Sequence, residues 1–150
     1  MPVFDLIHRI TIFFSYAAFF SAFLSGILYL VQDSALKNKL SGAVFGRLPN
    51  LSLLDMVNYR SIGTGFPLLT ISILAGLYLA KSAHGIYWQG FNSRQILSLA
   101  VWIIYALILH VRLTERLRGR KVAILSIAAF ILMVIALVGD CQGGQGYGTE

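Results

Sequence analysis

The chain has 150 residues, is 57% hydrophobic and only 12% charged, and has a mean hydropathy of +0.76. A soluble domain is about 45–50% apolar and about 25% charged, so this composition excludes an ordinary soluble fold and describes a membrane protein with little mass in water. The net charge of +6 sits in loops beside apolar runs, which fits membrane topology and excludes nucleic acid as the partner, and the single Cys141 excludes an intrachain disulfide or a cysteine-based zinc site.

A hydrocarbon core of about 30 Å takes roughly 20 helical residues. The first segment of that length is residues 10–31 (ITIFFSYAAFFSAFLSGILYLV), with His8 at its start. Its aromatic series, including Phe13, Phe14, Phe19 and Phe20, reads as lipid-facing or packing surface. Asp5 and Arg9 come too early for a typical signal peptide, and no clear cleavage site follows.

Residues 32–60 form a connector with two parts. Residues 36–45 mix lysine with Leu, Val and Phe, as in a helix lying on a membrane face. LSLLDMVNYR follows, capped by Asn50, and predicts an interfacial helix leading into the next span.

That second span is residues 62–80 (IGTGFPLLTISILAGLYLA). Gly63, Gly65, Gly76 and Ser72 predict close helix packing, and Pro67 a kink. A loop at residues 81–95 then gathers His84, Tyr87, Trp88 and Phe91 with two glycines. The aromatics fit either an interfacial belt or the lining of a flat ligand.

The third span, residues 96–111, ends at His110, which reads first as an interfacial anchor with Arg112 and second as a ligand. A hinge with Arg112, Arg116, Arg118, Arg120 and Lys121 separates it from the fourth span, residues 122–139. The tail, residues 140–150, is polar and glycine-rich. The four spans have no central Asp, Glu, Lys or Arg, and all are read as helices because backbone amides in lipid must bond internally. The expected fold is an all-α integral membrane protein: one domain, a bundle of four transmembrane helices with an amphipathic inner-face connector.

Lys and Arg resist translocation, so the basic hinge marks an inner loop. With both termini outside, inner segments hold nine basic residues and outer segments three, Arg9, Lys81 and Arg94. The loop at residues 81–95 is then external.

Histidine is the usual protein ligand of haem iron. His8 and His84 fall at the outer end and His110 at the inner one, so only the first two can meet. No Ser/His/Asp set, HExxH, P-loop or paired carboxylate appears in a span, and the expectation is a protein that is not an enzyme. A proton-coupled pump would lack its intramembrane carboxylate.

The order of these pieces resembles the CcsA/HemX-type cytochrome c assembly family. Ile7-His8-Arg9 and Ser15-Tyr16-Ala17-Ala18-Phe19 match its opening. Leu54-Asp55 and the run from Asn58-Tyr59-Arg60 through Gly65-Phe66-Pro67-Leu68-Leu69-Thr70 to Gly76 match its longest block. Gly85, Tyr87 and Trp88 follow, then Trp102-Ile103-Ile104-Tyr105-Ala106 and Leu109-His110-Val111-Arg112. The resemblance covers residues 7–139 and corresponds to the C-terminal half of a usual member. The family's tryptophan-rich WGxYWxWDPKE motif is broken here: the acidic residue and two tryptophans are absent, and His84 stands where a tryptophan falls. A second outer histidine, in an HSYG-like motif, is replaced by Gln145.

The resemblance implies haem as cofactor, with His8 as an outer ligand, His84 as a substitute partner and Tyr87, Trp88 and Phe91 against the porphyrin. It implies a protein that binds or shields haem at the outer face of the bacterial inner membrane, among other membrane subunits of a cytochrome assembly or respiratory complex. The alternative is a haem-free structural or accessory subunit of such a complex.

Overall fold

The structure, a computed structural model, describes residues 2–39, 42, 45–85, 93–114 and 119–143, with the backbone alone at 45, 84, 93, 94 and 140–143. It contains four long helices, α1 (Pro2–Lys37), α2 (Leu51–His84), α3 (Ser93–Thr114) and α4 (Arg120–Gly143), and a single 3-10 turn at Phe45–Arg47. All four are long and apolar enough to cross a membrane, and no strand occurs among the described residues. The protein is an all-α multi-pass membrane bundle.

Neighbouring helices run antiparallel. Along α1 and α2, Phe4 meets Tyr78, His8 meets Ser72, Ser15 meets Gly65 and Ala22 meets Asn58. As one number rises the other falls. The same holds for α1 with α4, where Phe23 meets Phe130 and Asp33 meets Arg120. In α2 with α3, Thr70 meets Trp102 and Asp55 meets Arg112. One end of the bundle therefore carries the starts of α2 and α4 and is called the hinge end. The other carries the start of α1 and the end of α4 and is called the termini end.

The second helix differs from the sequence reading. Asn50 does cap it, its side-chain oxygen accepting the Leu53 amide at 2.8 Å, but from Leu51 the helix runs unbroken through Pro67 to His84. Residues 51–60 are thus the first turns of the span itself, upright beside α1, and not a separate helix on the membrane face. Gly85, at φ 74°, closes α2 by donating to the Lys81 carbonyl at 2.8 Å. A positive φ suits glycine, which has no Cβ to clash.

The core lies at mid-height. Phe19 and Tyr105 are fully buried and stack with centroids 3.7 Å apart, and Ile62, Leu69, Val122 and Met133 belong to the same buried cluster along the bundle. Gly65 makes this packing possible: a Cβ there would stand 2.8 Å from the Phe19 ring. Gly26 does the same for α4, where an added Cβ would lie 3.1 Å from Ser126 Oγ. Gly63, expected among the packing glycines, faces open space.

Polar contacts supplement shape where lipid offers no alternative partner. Ser15 Oγ donates to the Gly65 carbonyl at 3.0 Å, and the Asn58 amide donates to the Ala22 carbonyl at 2.8 Å and to Ser126 Oγ at 2.9 Å. Asn58 therefore ties α1, α2 and α4 together. Replacing Asn58 by Leu is expected to cost about 1–2 kcal/mol, the worth of interhelical hydrogen bonds in a membrane, read as a lower melting temperature in one detergent.

Candidate functional site

His8 sits on α1 two turns from its start, half-buried against α2. Its place is prepared by Gly76: a Cβ there would come within 3.1 Å of His8 Cε1 and 3.3 Å of Nδ1. The imidazole occupies the gap that the missing side chain leaves.

The ring is also oriented. Nδ1 lies 2.8 Å from the Ser72 carbonyl oxygen and 3.1 Å from Ser72 Oγ. A carbonyl can only accept, so Nδ1 carries the proton and donates it there. Ser72 Oγ, itself buried, donates to the His8 carbonyl at 3.4 Å. The neutral ring then has its lone pair on Nε2, which makes no hydrogen bond among the described residues. A ring N–H bonded to a backbone carbonyl, with the other nitrogen unprotonated, is how proteins orient a histidine for a metal.

The other expected ligands stand differently. His84 belongs to the last turn of α2, eight residues past Gly76, so its backbone lies about 12 Å farther along the helix axis. Its side chain, and all of Tyr87, Trp88 and Phe91, lie outside the described residues. His110 is exposed on α3, near the hinge end and away from His8. Of the expected set, the described residues bring His8 alone to a defined coordinating geometry.

A second cluster, at the hinge end, was not foreseen. Arg112 reads in the sequence as an interfacial anchor, yet it is 9% exposed and turned inward. Its guanidinium donates to Asp55 Oδ2 at 2.8 Å and to the Asp55 carbonyl at 3.0 Å, and lies 4.7 Å from the Tyr59 ring centre. The Gly119 amide adds a bond to Asp55 Oδ1 at 3.3 Å. The cluster fastens α2 to α3 and to the hinge. Asp33 pairs nearby with Lys37 at 2.9 Å and Arg120 at 3.2 Å, both in the open.

The comparisons with known proteins agree with the resemblance. Residues 5–140 match the family described as Cytochrome C assembly protein. The chain belongs to that family. It is 36% identical over 129 residues to the cytochrome c biogenesis protein CcsA of Gloeothece citriformis, covering 77% of this chain and 39% of that protein. It is 41% identical to the CcsA of Rippkaea orientalis, covering 66% and 31%, and 40% identical to that of Mesostigma viride, covering 63% and 30%. It thus spans between 30% and 39% of these relatives' length. No solved structure matches the chain.

Proposed function

We propose that the chain handles haem during cytochrome c assembly, and that Nε2 of His8 would hold its iron at the termini end of the bundle. The observation that carries this reading is the Nδ1 donation to the Ser72 carbonyl at 2.8 Å, which leaves Nε2 as the basic nitrogen. The bound haem would supply the iron and the flat apolar face. The chain's own residues hold and orient it. Ser72 and Gly76 fix the imidazole; His84, with Tyr87, Trp88 and Phe91 of the loop after α2, would supply the second ligand and the porphyrin contacts. The broken tryptophan-rich motif argues that this chain does not catalyse thioether attachment by itself.

The termini end faces outward in this reading, across a bacterial inner membrane. Arg112 is held in an ion pair and Arg60 stands inside the bundle's height, yet the bias survives without them. Lys37, Lys39, Arg47, Arg120 and Lys121 stand at the hinge end, against Arg9, Lys81 and Arg94 at the other, and the sequence adds Arg116 and Arg118 to the same basic run. The loss of the motif's acidic residue and two tryptophans is the one observation that favours a haem-free accessory subunit instead.

Absorption spectra of the detergent-purified full chain separate the two. The expected result is a haem band that His8→Ala abolishes, His84→Ala shifts and His110→Ala leaves intact. A band lost only in His110→Ala, or no haem after co-expression with a cytochrome c assembly system, would overturn the outer-site reading.

A further inference from the structure

The buried polar side chains divide at the level of the Phe19–Tyr105 stack. Toward the termini end they are paired. Ser15 Oγ donates to the Gly65 carbonyl, the Trp102 indole donates to Thr70 Oγ1 at 2.9 Å, and Ser72 and His8 hold each other. At the stack and toward the hinge end, four buried atoms have no hydrogen-bond partner among the described residues: Gln32 Oε1, Asn58 Oδ1, Tyr105 Oη and Arg112 Nη1. A protein interior pairs nearly all such atoms, and one left alone has lost water without gaining a bond. The closed packing therefore carries an uncompensated polar cost, and carries it in one half of the bundle.

The helices of that half are not held alike. Asn58 bonds Ala22 and Ser126 and so joins α1, α2 and α4, and α4 approaches α1 closely at Gly26. The polar ties of α3 there, among the described residues, are those of Arg112, to Asp55 and to the Tyr59 ring. Gly119, in the hinge beyond α3, donates to the same Asp55 and lies so close to α1 that an added Cβ would fall 2.5 Å from Tyr29 Oη. A charged tie of this kind differs from an apolar one. Taking both charges out of water offsets most of their attraction, so water that enters releases the pair at small cost.

From the unpaired atoms and the charged tie together we infer that the hinge half of the bundle is a gate. α3 and the hinge swing away from α1, α2 and α4, with the Asp55–Arg112 pair and the Gly119 amide as the latch. Water then reaches Arg112, Asn58 and Tyr105 and stops at the Phe19–Tyr105 stack, which the buried Leu69 and Val101 back toward the termini end. Gln32, nearer the hinge end, is hydrated with them. Ile108, buried between Tyr105 and Arg112 on the same inward stripe of α3, lines the opening. In the open state each unpaired atom gains hydrogen bonds, which offsets the apolar surface that opening exposes. The termini half, where His8 sits, stays closed, and the motion needs no haem.

The test is cysteine reactivity in the full chain carrying Cys141→Ser, held in lipid nanodiscs and treated with a charged methanethiosulfonate. Ile108→Cys reports the gate, and Leu69→Cys reports the termini half from a site that is also buried, at 2% exposed against 4%. A site sealed in the closed state reacts in proportion to its open population. The expected result is labelling at Ile108→Cys and none at Leu69→Cys. Asp55→Asn, which releases the latch, should speed labelling at Ile108→Cys roughly tenfold. Tyr105→Phe, which removes an atom that bonds only in the open state, should slow it roughly tenfold, the change that about 1.4 kcal/mol in the opening equilibrium makes. Tyr105→Phe keeps the stack on Phe19 and should also raise the melting temperature, so the test stays decisive where Asp55→Asn fails to fold. Equal labelling at the two cysteines would overturn the inference. So would a rate that a folded Asp55→Asn does not raise, or one that Tyr105→Phe leaves unchanged or raises.

Discussion

Replacing Asp55 by Leu is expected to destabilise the protein by about 3–5 kcal/mol, the usual cost of leaving one member of a buried ion pair alone. The side chains of Arg112 and Asp55 are 7% and 20% exposed, so water screens neither well. With Asp55 gone, the Arg112 guanidinium keeps only the Asp55 backbone carbonyl and the Tyr59 ring. Its second terminal nitrogen already has no partner among the described residues. The Gly119 amide loses its acceptor as well, which frees the hinge. The double replacement Asp55→Leu/Arg112→Leu is expected to recover most of the loss, because removing both charges of a buried pair is often neutral. Denaturation of the three proteins in one detergent measures this. A double variant as unstable as the sum of the two single variants would show that the pair contributes no coupling.

Gly65 and Gly63 make the second contrast, on one helix and two residues apart. Gly65→Ala is expected to cost about 1–3 kcal/mol by overpacking. The new methyl would fall 2.8 Å and 3.0 Å from two carbons of the Phe19 ring and 3.2 Å from Ala18 Cβ. The ring cannot swing clear, since it is fully buried and stacked on Tyr105 at 3.7 Å. Gly63→Ala should be neutral or stabilising by up to about 1 kcal/mol, because alanine favours helix and the site is open. Melting temperatures of the two purified variants should move in opposite directions. Equal losses would mean that the Phe19 contact does not decide the cost of Gly65→Ala.

Much of the architecture was legible in the sequence because bilayer thickness sets an absolute length for an apolar run. The four spans, the Asn50 cap and the antiparallel order follow from that and from the hinge. What eluded it are pairings across the bundle. Residues 51–60 read as interfacial because Asp55 and Arg60 lower the local hydropathy. Hydropathy does not show that Asp55 faces Arg112, fifty-seven residues away. Likewise the two glycines of the GTG run look alike until one is found beneath Phe19 and the other facing open space. The candidate site was legible as a residue, His8, from the resemblance and from histidine's affinity for haem iron. Its preparation was not: the Ser72 carbonyl and the gap at Gly76 are contacts between α1 and α2 with no local signature. A signal for Arg112 existed, since a lone acid in the LSLLDMVNYR segment calls for a basic partner in an apolar setting.

His8 also permits a direct chemical test of the central claim, that its Nε2 is a haem ligand. His8→Gly removes the imidazole and leaves a cavity beside Ser72 and Gly76 that free imidazole can enter. The measurement is the absorption spectrum of the purified His8→Gly chain with haem, before and after adding imidazole, beside the wild type. The account predicts a haem band weakened or lost in His8→Gly and returned to the wild-type position by imidazole, which supplies the same nitrogen without the chain. A wild-type spectrum in His8→Gly with no imidazole present would contradict it.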